Sequence, residues 1–383
     1  MKPTPKVLHV IRSEAFGGLE LYVDTLIKKL FETGIEMAVY CMPNSIISGR
    51  LASAGIHIIE AKQNSKYNFS DILAIRRLVQ KEGFTAIHSH TNVDAWSCAI
   101  ALTGIKKVKH FFSLYMSTIA KRDPLHWFIY KRIDVLLSTS ENINVEVKHN
   151  YPIDPKKVRL LRYGRDVHAY VSDSTKRNDI RNQLGVTETQ TIVGTMCRID
   201  PTKGVKEFAE AFLFLPDSIK QRVVFWIIGE RTVLHKDPQG TIVYEQGSDA
   251  SYKWLELFIL EYKLEQQIRL IPFQKDLQGY LSAMDIFVLA SWNEMYALAV
   301  LDALLMKLPV IGTNTGGTPE QLAYKRGMTV SPKSPQEIAT AIQYLVENPE
   351  KAKEMGARGR EWVLKEHDWQ RVLPQYLEYY QVL

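Results

Sequence analysis

Cysteine is scarce in this sequence. Cys41, Cys98 and Cys197 are the three cysteines among 383 residues, and they lie far apart. No two of them have the short spacing of a zinc site, and an odd, scattered set cannot build the disulfide framework of a small secreted domain. The sequence therefore predicts a protein of a reducing compartment whose fold needs neither a disulfide nor a structural metal.

Long apolar segments are also missing. No run approaches the roughly 20 residues that a membrane-spanning helix needs. The polar start, Met1 to Lys6, leads directly into a strand-like segment, Val7 to Ile11, and does not have the pattern of a signal peptide. We therefore expect a cytoplasmic protein that is either soluble or peripheral on the inner face of the cell membrane.

Two absent motifs narrow the function. No two aspartates lie two residues apart, so the Asp-x-Asp clamp that holds a metal ion on a diphosphate is missing. A G-x-G-x-x-G fingerprint is missing after the first strand of either half, which argues against a nicotinamide oxidoreductase. No metal and no other cofactor is expected.

What is present is an alternation of apolar, β-rich segments with amphipathic ones, which is the pattern of α/β proteins. Several strand segments are continuously apolar, as expected for parallel strands covered on both faces. The alternation is interrupted by a polar stretch between Arg165 and Thr189 and then starts again. The expected fold is two Rossmann-like, doubly wound parallel-sheet domains, 1–170 and 171–365, with a C-terminal helix of about 366–383 packing back on the first.

The charge is unevenly distributed between the halves. The first 170 residues hold 24 Lys and Arg against 15 Asp and Glu, a net +9, and the remainder hold 24 against 27, a net −3. Such asymmetry indicates that the first half meets an anionic partner, for which phospholipid, a phosphorylated acceptor and nucleic acid are candidates. An ordinary basic surface that serves only solubility is equally compatible with these counts.

Charged side chains follow the strand-like segments of the second half. Arg198 and Lys203 lie on a loop between a buried strand and a helix, where two cations can neutralise a diphosphate. Glu294 follows a later strand, and Asp302 lies about two helical turns beyond it among apolar neighbours. In the first half, the pair Gly17 and Gly18 opens a helix where backbone N–H groups can approach a phosphate, although a tight turn explains such a pair equally simply.

Together these features resemble glycosyltransferase family 4, a family of retaining enzymes with the GT-B fold, over nearly the whole chain. The landmarks that carry the resemblance are Gly17-Gly-Leu-Glu20, His88-Ser-His90, Arg159 to Asp166, Arg198 with Lys203, Gly229, Asp285 to Ser291, Glu294 with Asp302, and Thr313 to Glu320.

The resemblance implies a role for each matched position. Arg198 and Lys203 would bind the donor diphosphate, Glu294 the donor sugar and Asp302 the ribose. The remaining implied donor contacts are the backbone amides of Tyr296, Ala297 and Leu298 at a helix amino end, and the Gly17–Gly18 loop of the first domain. His90 matches a family histidine near the reacting sugar, and His88 is expected to be structural.

The chain departs from the family pattern between its two acidic residues. Glu294-Met-Tyr-Ala297 stands where Glu-Gly-Phe-Gly is usual, and Asp302 replaces a glutamate. Losing both glycines removes easy access to positive φ and puts the shape of the phosphate loop in question. Asp302 is one methylene shorter than glutamate but can still accept two hydroxyl hydrogen bonds.

The sequence thus predicts a retaining, metal-independent glycosyltransferase. Its donor would be a nucleotide-diphosphate sugar and its acceptor a glycan or lipid-linked molecule of cell-surface polysaccharide or glycolipid synthesis. Two alternatives stay open: a nucleotide-sugar-binding protein without transferase activity, and a nucleotide-sugar epimerase or phosphorylase on the same fold. A metal site at His88 and His90 is not expected, because no further ligands accompany them in the sequence.

A basic and aromatic segment from Gly104 to Arg132 suggests a surface for an anionic membrane or a lipid-linked acceptor. Nothing in the sequence resembles a nucleic-acid-binding motif, so nucleic acid is not an expected partner. The competing reading is that the aromatic side chains pack in the core and the lysines form a solvated rim. The six aromatic residues in question are Phe111, Phe112, Tyr115, Trp127, Phe128 and Tyr130.

Overall fold

A computed structural model describes residues 5–15, 17–115, 120–236 and 241–382 of the chain. They form two compact units. The first consists of Met1–Arg165 together with Glu366–Leu383, and the second is Asp166–Lys365.

The first unit is a parallel sheet with helices. Its strands are β1 (Lys6–Ile11), β2 (Glu36–Cys41), β3 (His57–Glu60), β4 (Ala86–Ser89), β5 (Lys109–Leu114), β6 (Val135–Ser138) and β7 (Val158–Leu160). Its helices are α1 (Gly18–Glu32), α2 (Ile46–Ser53), α3 (Phe69–Lys81), α4 (Asn92–Ala101), α5 (Pro124–Arg132), α6 (Glu141–Asn150) and, at the end of the chain, α16 (Trp369–Val382). Over the described residues the strand order is β3-β2-β1-β4-β5-β6-β7.

The second unit repeats this architecture. Its strands are β8 (Thr191–Met196), β9 (Val223–Ile228), β10 (Val233–Lys236), β11 (Ile242–Tyr244), β12 (Ile268–Ile271), β13 (Ile286–Leu289), β14 (Val310–Thr313) and β15 (Gly327–Val330). Its helices are α7 (Ser174–Gln183), α8 (Val205–Ala211), α9 (Asp217–Lys220), α10 (Gln246–Glu261), α11 (Leu277–Ala283), α12 (Leu298–Leu305), α13 (Thr318–Leu322), α14 (Pro335–Glu347) and α15 (Pro349–His367), whose last two residues belong to the first unit. The parallel sheet has the order β12-β9-β8-β13-β14-β15, and β10 pairs with β11 in an antiparallel hairpin.

The predicted fold class is confirmed, because both sheets are parallel and both are doubly wound. The alternation of apolar and amphipathic segments does not mark β3 or the β10–β11 hairpin. β3 has no fully buried residue, and Ile242 of the hairpin is largely exposed. Neither segment therefore carries the continuous apolar pattern that marks the central strands.

In each sheet the strand order reverses beside the first strand of the unit. From β1 the chain winds through β2 to β3 and then returns to place β4 on the other side of β1. From β8 it winds through β9 to β12 and then returns to place β13 on the other side of β8. Such a reversal opens a crevice at the carboxyl ends of the two diverging strands, where doubly wound proteins bind ligands. A ligand-binding site is therefore expected at the loops that follow β1, β4, β8 and β13.

A buried ionic network fixes the carboxyl end of β1. The fully buried guanidinium of Arg12 forms ion pairs with Asp94 at 2.9 Å and with Asp71 at 3.4 Å, which links β1 to α3 and α4. The Tyr40 hydroxyl donates a 2.7 Å hydrogen bond to Asp71. Removing one partner of such a network leaves a buried charge uncompensated, so these residues serve the fold.

None of the helices in the described part of the chain combines the length and the apolar character needed to cross a membrane.

Candidate functional site

The loop after β8 places two cations at the crevice of the second sheet. Asp200 accepts the amide of Thr202 at 2.8 Å, and Gly204 then turns the chain into α8 with φ +66°. A Cβ at Gly204 would lie 1.9 Å from the carbonyl oxygen of Ala290, so only glycine allows this loop to pack on the end of β13. Arg198 is exposed and forms no hydrogen bond or ion pair with the described residues.

Lys203 on this loop pairs with Glu294 after β13. The Lys203 ammonium lies 2.7 Å from a carboxylate oxygen of Glu294, and both side chains stay partly exposed. Trp292 reinforces the link, because its backbone amide donates to the Thr202 carbonyl and its indole N–H donates to Glu207 of α8. Two predicted site residues from adjacent strands are therefore in direct contact.

The loop after β14 supports Glu294 from the other side. Gly316 has φ +53°, and a Cβ there would lie 1.6 Å from the Glu294 carbonyl oxygen. The amide of Gly317 donates to the same carbonyl at 3.2 Å. Glycine at position 316 is thus required both by conformation and by close approach.

The amino end of α12 follows Glu294. The buried side chain of Gln321 clasps Ala297, accepting from its amide at 3.3 Å and donating to its carbonyl at 2.9 Å. The amides of Leu298 and Ala299 in the first turn have no acceptor among the described residues. A phosphate at this helix end would therefore meet these two amides, because that of Ala297 is engaged.

The residues that stand where the family has glycines adopt ordinary backbone conformations. None of Met295, Tyr296 and Ala297 has a positive φ, and the side chains of Tyr296 and Ala297 are buried. The loop of this chain therefore forms without positive φ at these three positions. The conformation that glycine supplies is found instead at Gly316, across the loop.

Asp302 has a partner that the sequence did not indicate. Both Asp302, on α12, and Tyr170, in the segment before α7, are buried, and the Tyr170 hydroxyl donates a 2.6 Å hydrogen bond to the Asp302 carboxylate. The Tyr170 carbonyl accepts from Arg360 at 2.9 Å. No pattern marks an isolated tyrosine in a polar segment, so only the fold could reveal this contact.

In the first unit, the Gly17–Gly18 loop lies between β1 and α1. The Gly17 amide donates to the Glu20 carboxylate at 2.9 Å, and the Ser13 hydroxyl donates to its other oxygen at 2.6 Å. A Cβ at Gly18 would meet no atom within 4 Å. The Gly17 amide is therefore used in capping α1, and the backbone at Gly18 is open to approach.

His90, at the end of β4, belongs to a buried histidine cluster. His90 Nε2 lies 3.0 Å from His9 Nδ1, and its Nδ1 lies 3.3 Å from the Tyr115 hydroxyl. His88 bonds to the hydroxyls of Tyr380 on α16 and of Ser113, at 2.6 and 2.7 Å. The contacts of His88 fit the structural role expected for it.

His9 contradicts the expectation that no further ligand accompanies His88 and His90. Within the described residues, His9, His88 and His90 bring possible ligand atoms within 4.8 Å of one another, so a third imidazole does accompany the His-x-His pair. The nitrogens of His88 and His90 and the Nδ1 of His9 are engaged in the hydrogen bonds just described, whereas the buried Nε2 of His9 has no hydrogen-bond partner among the described residues.

Burial keeps this cluster neutral. Desolvation lowers the pKa of His9 to about 3 and lowers the pKa values of His88 and His90 well below the usual value. His110 on β5 is also buried, and its pKa is lowered to about 3 by desolvation and by Arg132. His90 therefore offers a neutral hydrogen-bonding imidazole and no positive charge at physiological pH.

Two family models match the sequence of this chain. The model of glycosyl transferases group 1 matches residues 176–362, and that of Glycosyltransferase Family 4 matches residues 16–169. Together they span most of both units. The chain belongs to glycosyltransferase family 4 and is a glycosyltransferase. Members of this family are generally metal-independent.

Curated relatives agree with this assignment. The chain is 24% identical to an alpha-maltose-1-phosphate synthase of Mycolicibacterium smegmatis, with 96% of each chain covered. It is also 24% identical to an Escherichia coli UDP-Gal:alpha-D-GlcNAc-diphosphoundecaprenol alpha-1,3-galactosyltransferase, over 65% of this chain and 63% of that protein. Neither a binding protein without activity nor an epimerase or phosphorylase is favoured by these matches.

Solved structures confirm the GT-B fold. The Anabaena Alr3699/HepE protein in complex with UDP superposes with a TM-score of 0.85 at 18% identity, covering 99% of this chain and 100% of that one. Sucrose-phosphate synthase from Thermosynechococcus elongatus gives a TM-score of 0.77 at 19% identity, with 98% of each chain covered.

The buried histidines predict how stability depends on pH. The pKa of His110 is about 3 in the folded chain and near 6.5 in the unfolded chain. Between these values the unfolded chain binds more protons, so the free energy of unfolding falls as the pH drops below about 6.5. Each such histidine contributes a slope that is about half of 1.4 kcal/mol per pH unit at pH 6.5 and approaches about 1.4 kcal/mol per pH unit well below it. Urea denaturation at pH 7.5, 6.5 and 5.5 measures this slope.

His110→Gln should flatten that slope, and His57→Gln, at an exposed position, should leave it unchanged. An identical slope in His110→Gln and the unaltered chain would show that His110 is not held neutral by burial.

Proposed function

We propose that this enzyme transfers a sugar, with retention of anomeric configuration and without a metal ion, from a nucleoside-diphosphate sugar to a glycan or lipid-linked acceptor. The observation that carries the proposal is the contact between Lys203 and Glu294, with the exposed Arg198 on the same loop as Lys203, at the crevice of the second sheet. Lys203 and Arg198 are cations that suit a diphosphate, and the Glu294 carboxylate suits sugar hydroxyls.

Breaking the bond to the donor places negative charge on the departing diphosphate, which must be stabilised by cations or oriented N–H groups. Arg198 can turn to the diphosphate without breaking a bond to any described residue. Lys203 is held in place by Glu294, and the amides of Leu298 and Ala299 add the positive end of α12. These groups take the part that a metal ion plays in other transferases.

Glu294 binds the donor sugar in this proposal. Its carboxylate can accept hydrogen bonds from sugar hydroxyls while the Lys203 ammonium holds it in place. Asp302 accepts the ribose hydroxyls. Retention follows when the acceptor attacks the face from which the diphosphate leaves, so no enzymic nucleophile is assigned.

The first unit contributes to the acceptor side of the reaction. His90 is a neutral imidazole whose two nitrogens contact His9 and Tyr115, so it reaches a substrate by exchanging one of these hydrogen bonds. The Gly17–Gly18 loop supplies backbone that a substrate can approach. Cell-surface polysaccharide or glycolipid synthesis is the proposed setting. It is supported by similarity to the galactosyltransferase named for a diphosphoundecaprenol acceptor and to a Bacillus subtilis protein named for teichuronic acid biosynthesis.

Arg198→Ala and Lys203→Ala should each lower kcat by about 10- to 1000-fold, because each removes charge stabilisation of the leaving diphosphate. Lys206→Ala is the matched control, since the Lys206 ammonium lies over the Trp254 ring at 5.1 Å. Turnover of nucleotide sugar with and without excess EDTA measures both the charge and the metal parts of the proposal.

Near-normal turnover in both variants would remove the two cations from the mechanism. Loss of all activity in EDTA, restored by Mg²⁺ or Mn²⁺, would instead show that a metal ion bears the diphosphate charge.

We further propose that the enzyme works at an anionic membrane surface, which the first unit contacts through α5. Leu125, Trp127 and Phe128 of this helix are 49, 53 and 43% exposed. Arg122 precedes the helix, and Lys131 lies on it with its ammonium 4.7 Å from the Trp127 ring centre. Exposed apolar side chains beside cations suit the headgroup region of an anionic bilayer.

The other aromatic residues of the basic segment do not fit this surface. Phe111, Phe112, Tyr115 and Tyr130 are buried in the first unit, so the expectation that they reach a membrane is wrong. Arg132 is also engaged, since it pairs with Asp134 at 2.8 Å and donates to three backbone carbonyls. The membrane surface is therefore smaller than the sequence segment.

Replacing both Trp127 and Phe128 by serine should reduce flotation with phosphatidylglycerol-containing vesicles about tenfold, because half-exposed aromatic side chains lose roughly 1.4 kcal/mol of burial. Binding should also fall at high salt. Leu257→Ser is the control, at a side chain of α10 that is 65% exposed in the second unit. Absence of flotation by the unaltered chain at low salt would refute membrane docking.

A further inference from the structure

The contact between Tyr170 and Asp302 joins an acidic residue of the family pattern to a tyrosine that lies outside the matched motifs. Asp302 stands eight residues after Glu294 and one turn beyond the amino end of α12. Its carboxylate accepts the Tyr170 hydroxyl at 2.6 Å, and both side chains are buried. A buried carboxylate requires such a donor, since its desolvation would otherwise be costly.

Tyr170 is itself held at both ends. Arg360 on α15 donates to the Tyr170 carbonyl at 2.9 Å and also to the carbonyl of Leu305, the last residue of α12. Arg360 thus links the backbone of Tyr170 to α12, the helix that carries Asp302. This arrangement fixes the direction from which the hydroxyl reaches Asp302.

The Tyr170 hydrogen bond restricts the Asp302 carboxylate strongly, because the aspartate side chain is short. Aspartate has one torsion fewer than glutamate, so an oxygen engaged by Tyr170 also sets the orientation of the second oxygen. A carboxylate that is locked in one rotamer loses little entropy on binding a ligand hydroxyl, which favours selective recognition.

We infer that Tyr170 is a positioning residue for ribose recognition, which orients Asp302 so that the enzyme distinguishes ribonucleotides from deoxyribonucleotides. The inference rests on the proposed function, in which Asp302 binds the donor ribose. Tyr170 does not touch the nucleotide; it acts through the carboxylate.

The test is calorimetric titration of the full chain with UDP, GDP and ADP and with the 2′-deoxy and 3′-deoxy forms of each. For the base that binds, the unaltered enzyme should prefer the ribonucleotide by about 10- to 100-fold over at least one deoxy form, as expected for a hydrogen bond to a charged group. Tyr170→Phe should reduce this preference about tenfold. Asp302→Asn should reduce it as well, and Tyr262→Phe, at a half-exposed tyrosine of the same unit, should not.

These measurements distinguish a failure of the proposed function from a failure of the role assigned to Tyr170. If no nucleoside diphosphate binds the unaltered chain, the proposed function fails and the inference fails with it. If one binds but Tyr170→Phe leaves the preference for ribose unchanged while lowering the Tm, Tyr170 has only a structural role and the inference alone is overturned. A loss of preference with an unchanged Tm supports it.

Discussion

The ion pair between Lys203 and Glu294 is the constraint on which the candidate site of the second unit depends. It joins the loops after β8 and β13, the two strands at which the second sheet reverses its order. Gly204 brings the first loop against β13, and Gly316 brings the loop after β14 against Glu294. Because both side chains remain partly exposed, the pair holds its geometry while staying within reach of a substrate.

The two units differ in the charge of the side chains at the carboxyl ends of their central strands. The second unit presents ionised groups, including an exposed arginine, at the end of β8. The first presents buried, neutral imidazoles at the end of β4, and the ion pairs nearest to the end of β1 are those that Arg12 forms in the interior. Under the proposed function, the charged side chains suit a charged leaving group and the neutral imidazoles suit an uncharged acceptor hydroxyl, since desolvation that keeps an imidazole neutral would be unfavourable for a cation.

Most of the fold could be predicted from the sequence, because buried parallel strands leave continuous apolar segments and the helices between them are amphipathic. Strand β3 and the β10–β11 hairpin could not, since they lack such segments. At the site, motif spacing identified Lys203 and Glu294, which the fold brings together. Tyr170, Gln321 and His9 act through contacts distant in sequence, and a single sequence carries no signal for such pairs.

The most direct test of the central claim, that the second unit holds a diphosphate by charge, is thermal denaturation of the intact chain with matched nucleoside monophosphates and diphosphates. A ligand that binds only the folded state stabilises it by about 2.7 kcal/mol at a concentration 100 times its Kd. We expect one diphosphate to raise the Tm clearly more than its monophosphate does. Equal shifts for the two, or no shift with any nucleotide, would contradict the account.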